Sequence, residues 1–251
     1  MKLALAGKGG VGKTTLVALL GREAAARSYR VLVIDADPDA NLATTLGFPE
    51  PIAPLAEDRA LVAGRAGEGG LIRLNPKVDD IPERYAVERD GVRLLVLGGI
   101  RGGGGGCACA ANTLLRALLD HLLVEERDVV LLDMEAGIEH LGRGTARAVD
   151  ALLVVVEADR KTLETAQRTL RLASELGIAR IFAVANRVRG DGELAAIRDR
   201  LPAEIPLIAH VPYLDELRVA ACAGPLPAGR PHPAIGALFE AVQKQLGSAQ
   251  S

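Results

Sequence analysis

The sequence predicts a doubly wound α/β fold, a mostly parallel sheet of seven or eight strands with helices on both faces. Three observations carry that prediction. Short apolar runs alternate with helical segments along the chain. Several of these runs are apolar at every position, as strands buried on both faces must be. The first run, residues 2–6, ends in a glycine-rich stretch, Gly7-Lys-Gly-Gly-Val-Gly-Lys-Thr-Thr15, that opens onto a helix-like segment.

Taken in order, strands are expected at 2–6, 31–35, 93–98, 129–133, 151–157, 180–186 and 205–211, and helices at 14–27, 112–126, 161–176 and 191–201. Residues 83–98 read as a hairpin. Asp90-Gly91 is a favoured two-residue turn, and it adds an antiparallel strand. Residues 49–80 are rich in proline and weakly periodic, which suits a short helix and rim loops. Residues 234–246 carry Ile235, Leu238, Phe239, Val242 and Leu246 at helical spacing, as a helix docked on the sheet would. Ligands of such sheets gather at the carboxyl ends of the strands. Gly7, Asp35, Gly98, Asp133, Glu157, Asn186 and Pro212 all fall there.

The 251 residues are expected to form a single domain. Aromatic residues make up 2% of the chain, so Leu, Val, Ile and Ala must build the core. A net charge of −2 gives no sign of a nucleic-acid partner. No apolar run approaches the roughly 18 residues of a membrane span, and the amino terminus lacks a signal-peptide pattern. Three cysteines are too few for a disulfide scaffold. A cytoplasmic protein acting on neither membrane nor nucleic acid is the expectation.

The glycine-rich stretch fits the phosphate-binding pattern GxxxxGK[ST] in its strand–loop–helix setting. Backbone N–H groups of Gly9, Gly10, Val11 and Gly12 can converge on phosphate oxygens, backed by the helix N-terminus. Lys13 would reach the β- and γ-phosphates of ATP, and the Thr14 hydroxyl would bind Mg²⁺. Thr15 is a packing residue or an α-phosphate contact. Val129-Val-Leu-Leu-Asp133 is an apolar strand ending in aspartate, so Asp133 would hold Mg²⁺, through water. A second lysine inside the loop, Lys8, is absent from most phosphate-binding loops.

With Lys8 the loop resembles the deviant Walker A ATPases, which include the nitrogenase iron protein, MinD, ParA and Mrp-type carriers. The resemblance implies that Lys8 crosses a dimer interface to the nucleotide of the other subunit, and hence an ATP-linked homodimer. It aligns Asp37 with the catalytic carboxylate that positions water, Asp35 with a supporting residue, and Asn41 with a polar switch residue. Asp39 and Asn41 also suit helix N-caps. Asn186 resembles the adenine-contacting asparagine, and Val211-Pro212-Tyr213 the segment that closes over the purine. Both positions also suit strand-end turns. Glu135 is near the nucleotide or solvated.

Cys107 and Cys109, one residue apart after five consecutive glycines, suit a soft or borderline metal. Zinc wants four ligands and one chain offers two, so a metal here would tie two chains together. The alternative is a pair of small residues in a mobile loop. GGCAC followed by a helix, then DMEAGIEHLGRG, resembles the CooC family of accessory ATPases, which insert nickel into carbon monoxide dehydrogenase. That likeness implies Ni²⁺ or Zn²⁺ on Cys107 and Cys109 across the dimer, with carbon monoxide dehydrogenase as partner. Cys222 reads as a packing residue, and His121, His140, His210 and His232 as structural. The alternative function is a ParA- or MinD-like positioning ATPase acting on DNA or membrane.

Overall fold

A computed structural model describes the chain except residues 38, 50, 68–72, 74, 99–112, 115, 116, 119, 123–125, 135–148, 228 and 248–251. In chain order its elements are β1 (Lys2–Ala6), α1 (Lys13–Ala26), β2 (Arg30–Asp35), α2 (Leu42–Leu46), a 3₁₀ turn (Leu55–Glu57), α3 (Arg59–Ala66), α4 (Ile81–Tyr85), β3 (Val87–Arg89) and β4 (Val92–Val96). They continue with β5 (Asp128–Asp133), β6 (Ala151–Val156), α5 (Arg160–Leu176), β7 (Ile181–Val188), α6 (Asp191–Arg200), β8 (Leu207–Pro212), α7 (Asp215–Ala223) and α8 (Pro233–Gly247). Thr113, Leu114, Ala117, Leu118, Asp120 and His121 are helical, Leu122 and Glu126 of the expected 112–126 helix are not, and its other residues lie outside the described ones.

Eight strands form one sheet in the order β3-β4-β2-β5-β1-β6-β7-β8, parallel throughout except for the β3–β4 hairpin. Successive side chains leave a strand on opposite faces, and the sheet accordingly separates two cores. Ala4, Ile34, Leu132 and Val154 join α3, α5 and α6 on one face. Leu3, Val33, Leu131 and Leu153 join α1 and α8 on the other. All six residues of β6 are buried, which is why that run is apolar without alternation.

The turn of the hairpin falls at Asp90 (φ 51°) and Gly91 (φ 76°), the two positive φ values that a type I′ connection needs. Its first strand is shorter than expected. Residues 83–85 are helical, because α4 starts with buried Ile81 and with Pro82 in its first turn, where proline is well accommodated. Helices α2, α4 and α7 have no counterpart among the expected helices.

The carboxy-terminal helix α8 docks as expected, against β8 and α1. Phe239 is fully buried, with the Tyr29 ring edge-on at 5.4 Å and the Arg27 guanidinium 5.3 Å from its centroid. Buried Glu23 holds Arg27 at 2.7 Å beneath it. His232 opens the helix, its Nδ1 accepting the Ala234 N–H at 3.2 Å. Among the described residues no helix is long and apolar enough to cross a membrane.

Candidate active site

The glycine-rich loop leaves β1 at the centre of the sheet, between β5 and β6. This is where the strand order reverses and a crevice opens. Gly7 lies at φ 147°, and a Cβ there would sit 2.5 Å from the Val155 carbonyl oxygen on β6. Gly12, the N-cap of α1, lies at φ 92°, and a Cβ there would meet Asn186 Nδ2 at 2.5 Å. Those two contacts explain why glycine is required at both positions. Asn186, buried near the end of β7, donates from Nδ2 to the Val11 carbonyl at 2.8 Å. The next residue, Arg187, donates from Nη1 to the Gly10 carbonyl at 3.0 Å and to Glu157 Oε1 at 2.8 Å.

The two loop lysines differ. Lys13 is buried in the first turn of α1. The Lys8 ammonium reaches out to Asp159, 3.5 Å away, and both side chains are about half exposed.

Adjacent parallel strands bring Asp35 and Asp133 opposite each other at their carboxyl ends. Asp133 is 1% exposed, and neither of its oxygens has a hydrogen-bond partner. Burial pushes its pKa up to about 7. Thr14 and Lys13 pull it down, although the Thr14 hydroxyl does not meet hydrogen-bond geometry at either oxygen, and Asp35 and Asp37 push it up. Two buried oxygens without partners fit a cation, bound directly or through its water. Asp35 is equally buried but satisfied, accepting the N–H of Asp37 at 3.1 Å and of Leu42 at 3.0 Å. Burial still raises its pKa to about 6 against those two bonds. Asp35 thus ties the segment after β2 to the sheet.

Asp37 is half-buried and caps its own turn, its Oδ1 accepting the Asp39 N–H at 2.9 Å. Asn41 occupies the N-cap position of α2, yet its side chain makes no capping bond, so helix capping does not explain it. Gly12, Thr15, Asn186, Arg187, Pro212 and Tyr213 line a small groove beside the loop. Tyr213 is held there by its N–H to the Val188 carbonyl at 2.9 Å, with the Arg189 guanidinium 4.6 Å from its ring centroid.

Cys107, Cys109, Glu135 and His140 lie outside the described residues, as does the DMEAGIEHLGRG stretch beyond Met134. Among the described residues no group of three or more His, Cys, Asp and Glu side chains is placed to hold a metal. Sequence reasoning missed the partners of the loop. Asp159 and Arg187 meet it across separations of more than 140 residues, Glu157 braces Arg187, and no local periodicity marks these contacts.

A glycine loop between a central parallel strand and a helix, with a buried lysine and a strand-end aspartate beside it, defines a P-loop nucleotide-binding protein. Residues 2–226 match the family model of the CobQ/CobB/MinD/ParA nucleotide binding domain. The chain belongs to that family of ATPases and is a relative of CooC within it. It is 40% identical to the carbon monoxide dehydrogenase accessory protein CooC of Rhodospirillum rubrum, over 96% of this chain and 97% of that protein. It is 41% identical to an uncharacterised ATP-binding protein of Methanocaldococcus jannaschii, over 86% of this chain and 87% of the relative. The septum site-determining protein MinD of Pyrococcus horikoshii, solved with Mg-ADP, shares the fold with a TM-score of 0.69 at 20% identity, covering 98% and 97% of the two chains.

Proposed function

We propose that this ATPase inserts nickel into carbon monoxide dehydrogenase. The observation that carries the proposal is the likeness to CooC, which spans nearly the whole of both chains. The cysteine pair and the DMEAGIEHLGRG stretch add to it. ATP would lie with its phosphates on Gly9 to Thr14 and its purine in the groove of Asn186 and Pro212. Mg²⁺ would be held by Thr14 and Asp133, a role supported by the two unpartnered carboxylate oxygens. Lys13 would stabilise charge on the γ-phosphate, and Asp37 would orient the attacking water. Two chains would meet face to face, Lys8 leaving Asp159 for the nucleotide of the partner. Cys107 and Cys109 from each chain would hold Ni²⁺ or Zn²⁺ as cargo between them, so metal occupancy and dimerisation would be linked.

Titrating Ni²⁺ into the wild type and into C107S/C109S tests this reading. One metal per two chains is expected for the wild type, with tight binding lost in the double variant. Unchanged tight binding in the variant would overturn the metal assignment. ATP-dependent sedimentation with liposomes or DNA would instead favour a positioning ATPase.

A further inference from the structure

We infer that Arg187, braced by Glu157, is a positioning residue that holds the phosphate loop in its nucleotide-accepting conformation. The inference starts from the two consecutive carbonyls that leave the loop. Gly10 C=O is taken by Arg187 Nη1 at 3.0 Å, and Val11 C=O by Asn186 Nδ2 at 2.8 Å. A trans peptide is planar, with its C=O and N–H on opposite sides. Holding the Val11 carbonyl on the Asn186 side therefore turns the Gly12 N–H the other way. Holding the Gly10 carbonyl likewise fixes the plane of the Val11 N–H, which donates to the Lys8 carbonyl within the loop at 3.2 Å. Gly10 and Gly12 both sit at positive φ, and with no Cβ they oppose a peptide flip very little. A flipped peptide would aim a carbonyl oxygen at a phosphate oxygen, which repels it. The outward clasp is what removes that alternative.

The clasp joins three neighbouring parallel strands. Gly10 follows β1, Glu157 follows β6, and Arg187 lies within β7. Arg187 has φ 54°, a left-handed conformation that residues with a Cβ rarely adopt, and the β7–β8 register is irregular at the same point. Strain of this kind persists where the surroundings over-determine it, and it clusters at functional sites. Here the two bonds of the guanidinium are what the strained backbone secures. Glu157 supplies a charge-assisted partner that fixes the guanidinium plane beside the loop.

The inference rests on reading residues 7–15 as the phosphate site and makes no use of the nickel assignment. Should the wild type fail to bind ATP, the phosphate-site reading falls first. The test is nucleotide affinity and steady-state ATPase activity in Arg187→Asn, since asparagine tolerates the left-handed conformation. ATP and ADP are expected to bind about tenfold more weakly, the size of one lost charge-assisted bond. KM should rise with kcat changed much less, and the melting temperature without nucleotide should stay at the wild-type value. Arg187→Lys, which keeps a single cationic donor group, should recover part of the affinity. Glu157→Gln should shift it in the same direction by less. Wild-type affinity in Arg187→Asn would overturn the inference, as would an affinity loss that tracks a fall in melting temperature and is not rescued by lysine.

Discussion

Asp133 sets the electrostatic tone of the site. Its folded pKa of about 7 stands above the ordinary 3.8, because folding strips water from the carboxyl before anything replaces it. The sign of the pH dependence follows. Below pH about 4 both folded and unfolded chains carry the proton, and the group costs nothing. As pH rises towards 7 the unfolded chain ionises freely while the folded chain resists, so the ligand-free protein loses stability. Above pH 7 the full cost is on the order of 4 kcal/mol. Asp133→Asn removes it at the price of a buried amide, so a net gain of about 1–3 kcal/mol is expected at pH 8. Denaturant melts at pH 4 and pH 8 check this: the variants should converge at the lower pH and separate at the higher one. ATP hydrolysis by Asp133→Asn should be lost. A variant less stable than the wild type at pH 8 would contradict the account.

Among the elements, α8 shows most directly how packing constrains function. Its apolar stripe is buried against α1, the helix that begins at the phosphate loop. Phe239→Ala should therefore cost about 3–5 kcal/mol, as buried aromatic truncations do, with a matching drop in denaturant midpoint. A cost under about 1 kcal/mol would mean that the helix is only loosely attached. This stripe was legible in the sequence, as were the strands and the hairpin turn, because burial writes a period of its own. Expected and observed strand ends differ by one or two residues at most positions. The short helices were not legible. α2 and α4 have five residues each, too few for a periodic signal, and they owe their place to contacts such as buried Leu42 and Ile81. The loop motif and Asp133 could be read locally. Their supporting bonds from Asn186, Arg187 and Asp159 could not, since those partners meet only once the sheet has assembled.

For the molecule as a whole, the ion pair of Lys8 with Asp159 is the feature that points outward. Exposed pairs of this kind contribute about 0–1 kcal/mol, so the chain loses little by releasing the lysine. Lys8→Ala should accordingly leave the melting temperature within a degree or two of the wild type and retain ATP binding. It should fail to dimerise when ATP and zinc or nickel are added, with hydrolysis reduced roughly a hundredfold. Sedimentation velocity with a turnover assay checks both, and a Lys8→Ala chain that dimerises and hydrolyses normally would remove the reason for a trans-acting lysine. The unpartnered carboxylate reaches beyond the site as well. Any ligand that satisfies its two oxygens stabilises the native chain by mass action. Proteases digest the transiently open form in proportion to its population. The cellular lifetime of this chain should therefore lengthen when magnesium nucleotide is plentiful and shorten in starvation, so that its abundance follows the energy supply on which its activity depends.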